Sequence, residues 1–85
     1  MNINFELYKV FHEVATAKSI SKAAEKLLIS QPAVTQSIKT LEDQLGGKLF
    51  IRTPKGVILT NEGEELYKYI KEGMNFFLNG TNKFS

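Results

Sequence analysis

Residues 29–42 read ISQPAVTQSIKTLE, and they are the most informative stretch of the chain. Ser30 can cap a helix because its hydroxyl oxygen accepts from a free N–H of the first turn, where Pro32 is also tolerated. An apolar stripe confined to about 60° of the helix circumference follows; it comprises Val34, Ile38, Leu41 and Leu45. Gly46 and Gly47 form a double stop signal. The stretch therefore predicts a helix between Ser30 and Gly46.

The side of this helix opposite the stripe has an unusual composition. A helix in contact with water alone would carry Glu, Lys and Arg there. This side instead presents Gln31, Pro32, Thr35, Gln36 and Lys39, with Gln31 at the N-terminal tip. Gln can pair with adenine, Lys with guanine, and Thr with a base edge or a thymine methyl group. A carboxylate in their place would repel nearby phosphates. We predict that these five residues contact bases in the major groove of DNA.

Two further helices are predicted before this one. Asn4 is a candidate cap for a helix from Phe5 to about Ala17, whose apolar side comprises Leu7, Val10, Phe11 and Val14. Ser19 is a candidate cap for a helix of about eight residues, whose apolar side comprises Ile20, Ala23, Ala24, Leu27 and Leu28. A short helix, a tight turn and a second helix with an exposed polar face form a helix-turn-helix.

The period of the sequence changes after Gly47. Residues 49–52 and 57–59 are rich in β-branched and aromatic side chains, and the turn-forming residues 53–56, TPKG, lie between them. A small hairpin is predicted, so the fold class is a winged helix-turn-helix, mainly α, with three helices plus a two-stranded wing. Residues 46–60 also carry all of the positive excess of the chain, since they contain Lys48, Arg52 and Lys55 and no acid. An acid-free basic segment indicates an anionic partner.

A fourth helix completes the predicted organisation. Thr60 can cap a helix from Asn61 towards Leu78, and Asn79-Gly80 is the predicted stop signal. We expect a DNA-binding domain over residues 1–60, a linker and dimerisation helix over 61–79, and a disordered tail over 80–85.

Composition argues against several other classes of protein. The 85 residues contain no cysteine and one histidine, so they offer no thiolate site and no histidine cluster for a metal within one chain. His12 is expected at the surface or the boundary of the core. The glutamates at 62, 64 and 65 favour the positive end of a helix and do not indicate paired catalytic acids. No signal peptide or membrane span is evident. We expect no enzyme activity, no cofactor, no metal and no membrane association, in a cytoplasmic protein.

The run from Ser19 to Leu66 resembles the N-terminal domain of LysR-type transcriptional regulators. The shared motifs are AAE-x-L from Ala23, SQPA from Ser30 with a hydroxyl at Thr35, and I-x-x-LE-x-x-LG from Ile38. LF-x-R from Leu49 and LT-x-x-G from Leu59 follow without a gap. The resemblance extends over the first helix, so it includes nearly the whole chain.

The resemblance implies roles for residues at the matched positions. Gln31, Pro32, Thr35 and Gln36 would face the major groove of double-stranded DNA. A further set would contact the DNA backbone, partly from the wing, and it comprises Ser19, Ser21, Ser30, Arg52, Thr53 and Lys55. Some residues depart from the family pattern. Gln36 and Thr40 stand where many members carry basic residues, Pro54 replaces a small residue and Ile58 a basic one. These changes reduce the positive charge near DNA.

The resemblance also bears on partners. Full family members carry a C-terminal effector-binding domain, so we expect either an excised DNA-binding domain, which we favour, or a naturally short relative. A small-molecule effector would bind only through that C-terminal domain, which is absent from this chain. The fourth helix has an apolar sector of about 200°, which is too wide for one small domain to cover. We predict a homodimer through Leu66, Ile70, Gly73, Met74 and Phe77. The resemblance implies antiparallel pairing of these helices on an inverted-repeat operator.

A protein-interaction module is the alternative from another class. Winged helices can serve in dimerisation or docking, with the polar face left to water. The position of the acid-free segment on the wing argues against this alternative. Salt dependence distinguishes the two, because binding that neutralises phosphates weakens steeply as salt rises.

Overall fold

The computed structural model describes residues 4–83, which form four helices and one two-stranded antiparallel sheet. The helices are α1 (Phe5–Ala17), α2 (Ile20–Leu27), α3 (Gln31–Leu45) and α4 (Asn61–Asn82). The strands β1 (Phe50–Thr53) and β2 (Gly56–Leu59) pair with Phe50 opposite Leu59 and Thr53 opposite Gly56. The predicted winged helix-turn-helix followed by a long helix is confirmed.

A polar side chain caps the N-terminus of each of these four helices. The distances from the donor nitrogen to the capping oxygen are 3.0 Å for Asn4, 3.1 Å for Ser19, 3.2 Å for Ser30 and 3.0 Å for Thr60. All four caps were predicted from the sequence, and they are confirmed. Since each cap satisfies an N–H that has no partner within the helix, these residues fix where the helices begin.

Helix α1 lies at the centre of the core. Its Phe11 and Val14 are fully buried and pack with Val34 and Leu41 of α3, and the ring of Phe11 lies 5.2 Å from that of Phe50 in β1. Ala23 and Ala24 of α2 are buried as well, and their small side chains permit the close approach of a neighbouring helix. The helix-turn-helix and the wing therefore share one core, so α3 is held in a defined position beside the hairpin.

The corner between α1 and α2 also supports the hairpin. Lys18 adopts a left-handed conformation with φ of 55°, and its carbonyl oxygen accepts from the N–H of Val57 at 3.2 Å. A Cβ on the neighbouring Gly56 would lie 2.4 Å from that same oxygen, and Gly56 has φ of +142°. Only glycine fits there, because both the approach and the backbone conformation exclude a side chain.

Two residues predicted on apolar helix sides are exposed. Leu28 is 90% exposed and forms the left-handed C-cap of α2 with φ of 59°, so it lies outside the helix whose period it appeared to continue. Leu45 is the last residue of α3 and is 37% exposed. Periodicity assigns a residue to a side of a helix, whereas burial also requires a neighbouring element to cover that position.

The predicted end of the fourth helix is wrong. Helix α4 continues through Asn79 and Gly80 to Asn82, so the expected tail over 80–85 is helical in its first three residues. A glycine disfavours helix by only about 1 kcal/mol, and it ends one when the chain turns into a left-handed cap. Lys83, the C-cap, is instead right-handed. Residues 1–3 of the predicted domain and 84–85 of the tail lie outside the described residues.

Candidate nucleic-acid interface

The side of α3 opposite the core is fully open to solvent. Val34, Ile38 and Leu41 face inward, while the predicted base-contacting set is exposed and comprises Gln31, Pro32, Thr35, Gln36 and Lys39. Ser30 caps the helix through its hydroxyl oxygen, so Gln31 and Pro32 occupy the first turn. The five residues form one surface on which the ring of Pro32 lies among amide, hydroxyl and ammonium groups.

Thr40, on the next turn, orients Gln36. The Gln36 amide nitrogen donates to the Thr40 hydroxyl at 3.2 Å, and Thr40 is half-buried. The amide is therefore held at one end while the rest of the group faces solvent. In the sequence, Thr40 was notable only as a departure from the family pattern. The contact was not predicted, because an exposed glutamine and a threonine four residues apart can each bond to water instead.

The hairpin lies against the same side of α3. Arg52 of β1 donates from Nη2 to the Thr35 hydroxyl at 3.5 Å. A cleft between α3 and the hairpin has an apolar floor that includes Phe50 and Val57. Three cations also line the cleft, Lys39, Lys48 and Arg52, together with the carboxylate of Glu42. The predicted base-contacting surface and the basic segment, which were predicted separately from the sequence, are adjacent.

The tip of the hairpin is closed by Thr53. Its hydroxyl donates to the carbonyl oxygen of Gly56 at 3.2 Å and accepts from the N–H of Lys55 at 3.3 Å. Lys55 is exposed in the turn, where its ammonium group is accessible to an anion. The hydroxyl of Thr53 thus holds the turn that presents Lys55.

The serines predicted to contact the DNA backbone lie at two helix starts. Ser19 caps α2, and its hydroxyl lies 3.1 Å from that of Ser21, which is exposed in the first turn. Ser30 is exposed at the start of α3. Helix N-termini present free N–H groups and the positive end of the helix dipole, which suits a phosphate.

Glu42 was not predicted as part of this region. It lies on the inner side of α3, is 9% exposed, and accepts from the N–H of Leu49 at 2.7 Å and from that of Phe50 at 3.4 Å. A signal was present in the sequence, because Glu42 lies four residues after Ile38, at the edge of the apolar stripe. A carboxylate there requires a partner.

The apolar sector of α4 is only partly covered. Leu66 and Ile70 pack against the core, and Ile70 also lines an apolar groove between α4 and the start of α1 together with Gly73, Met74 and Phe77. Phe77 is 63% exposed, and a Cβ added to Gly73 would meet no atom within 4 Å. Within the predicted dimerisation set, Leu66 therefore lies against the core, while the residues from Ile70 onward line a groove that is open to a partner.

Other candidates for chemistry are few in residues 4–83. His12 is half-buried, with its ring 5.8 Å from that of Tyr67 and its Nδ1 3.9 Å from a Glu13 oxygen. No cluster of three metal-ligating side chains occurs in this part of the chain. None of its helices combines the length and apolarity needed to cross a membrane.

Sequence comparison finds one family model and several regulators. The model described as "Bacterial regulatory helix-turn-helix protein, lysR family" matches residues 5–64. The chain is 42% identical over 69 residues to the RuBisCO operon transcriptional regulator of Allochromatium vinosum. The match covers 81% of this chain and 23% of the relative. It is 41% identical over 75 residues to the glycine cleavage system transcriptional activator of Escherichia coli K12, covering 88% and 25%. The chain thus spans about a quarter of the length of these relatives.

Structural comparison finds domains solved with DNA. The crystal structure of the BenM_DBD/catB site 1 DNA complex matches with a TM-score of 0.87 and 29% identity, covering 96% of this chain and 91% of that one. The crystal structure of the CbnR_DBD-DNA complex matches with a TM-score of 0.82 and 28% identity, covering 95% and 93%.

Proposed function

This chain belongs to the lysR family of bacterial regulatory helix-turn-helix proteins, and from that premise we propose that it binds double-stranded DNA as part of a transcriptional regulator. The observation that carries the proposal is the exposed polar surface of α3, on which the one acid among the described residues is Asp43 near the C-terminal end, with the Arg52 guanidinium beside it. Such a surface matches the hydrogen-bonding groups of the major groove. Binding to chromosomal DNA would take place in the cytoplasm.

In the proposed complex, α3 enters the major groove and the wing contacts phosphates or the minor groove. Gln31, Pro32, Thr35, Gln36 and Lys39 would contact bases. The hydroxyls of Ser19, Ser21 and Ser30 would meet the backbone beside two helix starts, and Arg52 and Lys55 would do so from the hairpin, with Thr53 holding its turn. Backbone contacts fix the register, while base contacts give the sequence preference.

We also propose that two copies associate through α4. The groove formed by Gly73, Met74 and Phe77 against the start of α1 is apolar and open, and a second α4 has the shape and apolarity to fill it. A symmetric pair would present two α3 helices to the two halves of an inverted repeat. If a small-molecule effector acts on the regulator, we propose that it binds a domain beyond these residues.

The proposal is tested by measuring affinity for random-sequence duplex DNA at several salt concentrations. We expect the logarithm of the binding constant to fall linearly with the logarithm of salt concentration, because bound phosphates release counterions. Binding that is absent at low salt would contradict the proposal. Association with a protein partner, unaffected by salt and without any DNA binding, would favour an interaction module instead.

Replacement of Gln36 by alanine should cost about 1–3 kcal/mol on the preferred site and relax the preference at one base pair. The physical reason is the loss of a two-point amide contact to adenine. A selection from a randomised duplex library measures the preference. Thr40→Val is the matched control, since it removes the hydroxyl that orients Gln36 but leaves the amide, and it should change the preference less. An unaltered base preference in Gln36→Ala would exclude Gln36 from base contact.

Replacement of Arg52 or Lys55 by alanine should weaken binding to every sequence alike. Each substitution should reduce the slope of the salt dependence by roughly 1, because one phosphate contact is lost. Lys68→Ala is the control, since it removes an exposed cation from α4, and it should leave the slope unchanged. A constant slope with altered base preference would show that the wing reads bases.

A further inference from the structure

Glu42 is the buried charged residue within the described part of the chain, and its contacts point towards the wing. One carboxylate oxygen, Oε2, accepts from the N–H groups of Leu49 and Phe50 at 2.7 and 3.4 Å. The other, Oε1, lies 3.7 Å from Lys48 Nζ, whose side chain is 79% exposed. Because an exposed ion pair contributes little, the buried bonds to the backbone are the stronger interaction.

These bonds join α3 to Leu49 and to Phe50, which is the first residue of the hairpin. Strand β1 begins at Phe50, and Arg52 lies two residues further on, where its guanidinium reaches Thr35 at 3.5 Å. Helix α3 therefore holds the hairpin at its base through Glu42 and at Arg52 through Thr35. The bond between Arg52 and Thr35 is long and exposed, so the bonds of Glu42 to the start of the hairpin are the stronger of the two connections.

The segment that precedes the hairpin, residues 48–49, is also bonded to Thr60, the N-cap of α4. The Thr60 hydroxyl donates to the carbonyl oxygen of Lys48 at 2.7 Å, and the Thr60 N–H donates to that of Leu49 at 3.0 Å. Gly46 and Gly47, which link α3 to this segment, are loosely packed, since a Cβ added to either would meet no atom within 4 Å. Loss of the Glu42 carboxylate would thus loosen the base of the hairpin from α3 while leaving intact its bonds to Thr60 and the packing of Phe50 on Phe11.

We propose that Glu42 is a positioning residue for DNA binding, which sets the distance and angle between the base-contacting surface of α3 and Arg52 on the wing. This inference rests on the proposed function. The grooves and phosphates of DNA lie at fixed spacings. The contact of α3 with bases and the contact of Arg52 with the backbone therefore form together only if α3 and the wing are held as one unit. Glu42 supplies that connection without touching DNA.

A matched pair of substitutions, Glu42→Ala and Glu42→Gln, tests the role. Both remove one negative charge, but only glutamine keeps an oxygen that can accept from the Leu49 N–H. We expect Glu42→Ala to bind all sequences roughly tenfold more weakly than Glu42→Gln, because only alanine leaves the buried N–H of Leu49 without an acceptor. Its salt slope should be lower by roughly 1, as in Arg52→Ala. The base preference should not change, because α3 itself is unaltered.

A double substitution distinguishes positioning from general destabilisation. If Glu42 acts through Arg52, then Glu42→Ala combined with Arg52→Ala should bind no more weakly than Arg52→Ala alone. Without DNA, amide exchange at Leu49 should be faster in Glu42→Ala than in Glu42→Gln. Circular dichroism checks that each variant is folded at the assay temperature. If Glu42→Ala is unfolded, Glu42→Asp replaces it, since its shorter side chain withdraws the carboxylate from Leu49.

Two results would overturn the proposal. Full additivity of the two losses in binding, with an unaltered salt slope in Glu42→Ala, would show that the carboxylate stabilises the fold only. An unmodified chain that binds no DNA would remove the proposed function and this role with it. The first result leaves DNA binding by the unmodified chain intact, so the two failures are distinguishable.

Discussion

Replacement of Gly63 by alanine should lower the free energy of unfolding by about 3 kcal/mol or more. Gly63 lies in the first turn of α4, where its backbone is helical, so conformation alone does not require glycine. A Cβ at this position would lie 2.1 Å from the carbonyl oxygen of Leu49 and 3.0 Å from a methyl group of Leu59. The start of α4 would have to move away, which breaks the bond from the Thr60 N–H to Leu49.

Thermal denaturation measures this effect. For a domain of this size, a loss of about 3 kcal/mol lowers Tm by roughly 12 °C or more. Gly47→Ala is the matched control, because an added Cβ there meets no atom within 4 Å and its φ lies outside the left-handed region. Alanine at Gly47 should change stability little, or raise it by up to about 1 kcal/mol through the unfolded state. Equal Tm values for the two variants would contradict the steric explanation.

Replacement of Phe77 by glutamate should convert a dimer into a folded monomer. Phe77 is 63% exposed at the open side of the apolar groove between α1 and α4, so a carboxylate there costs little in the monomer. In a dimer the same charge would be buried without a partner. We expect the affinity for a complete inverted repeat to fall by roughly 10²–10⁴, because the second half-site no longer benefits from linkage to the first. The affinity for one half-site should be nearly unchanged.

Light scattering and gel shifts on full and half sites check this expectation. Asn75→Glu is the matched control: it also adds one negative charge to α4, but Asn75 is exposed about 180° from Leu66 around the helix. It should remain dimeric. A monomeric unmodified chain at several hundred micromolar would contradict dimerisation through α4. A dimeric Phe77→Glu would place the contact elsewhere on the surface.

The sequence by itself determined the elements of this fold and the polar surface that we propose contacts DNA. The caps at Asn4, Ser19, Ser30 and Thr60 were predictable because capping is a short-range interaction between a side chain and an N–H two or three residues later. The turn at residues 53–56 was predictable for the same reason. The polar side of α3 followed from the period of the helix, because its apolar stripe fixes which side faces the core.

The tertiary structure decided the features that depend on contacts between distant segments. Gly63 is constrained by a carbonyl fourteen residues earlier, and the buried carboxylate of Glu42 depends on N–H groups seven and eight residues later. Leu28, although part of an apolar period, is exposed because the chain turns there with a left-handed backbone. The contact between Arg52 and Thr35 requires the hairpin to lie against α3. Helical period and capping act over one turn, whereas close packing is set by which elements the complete fold brings together.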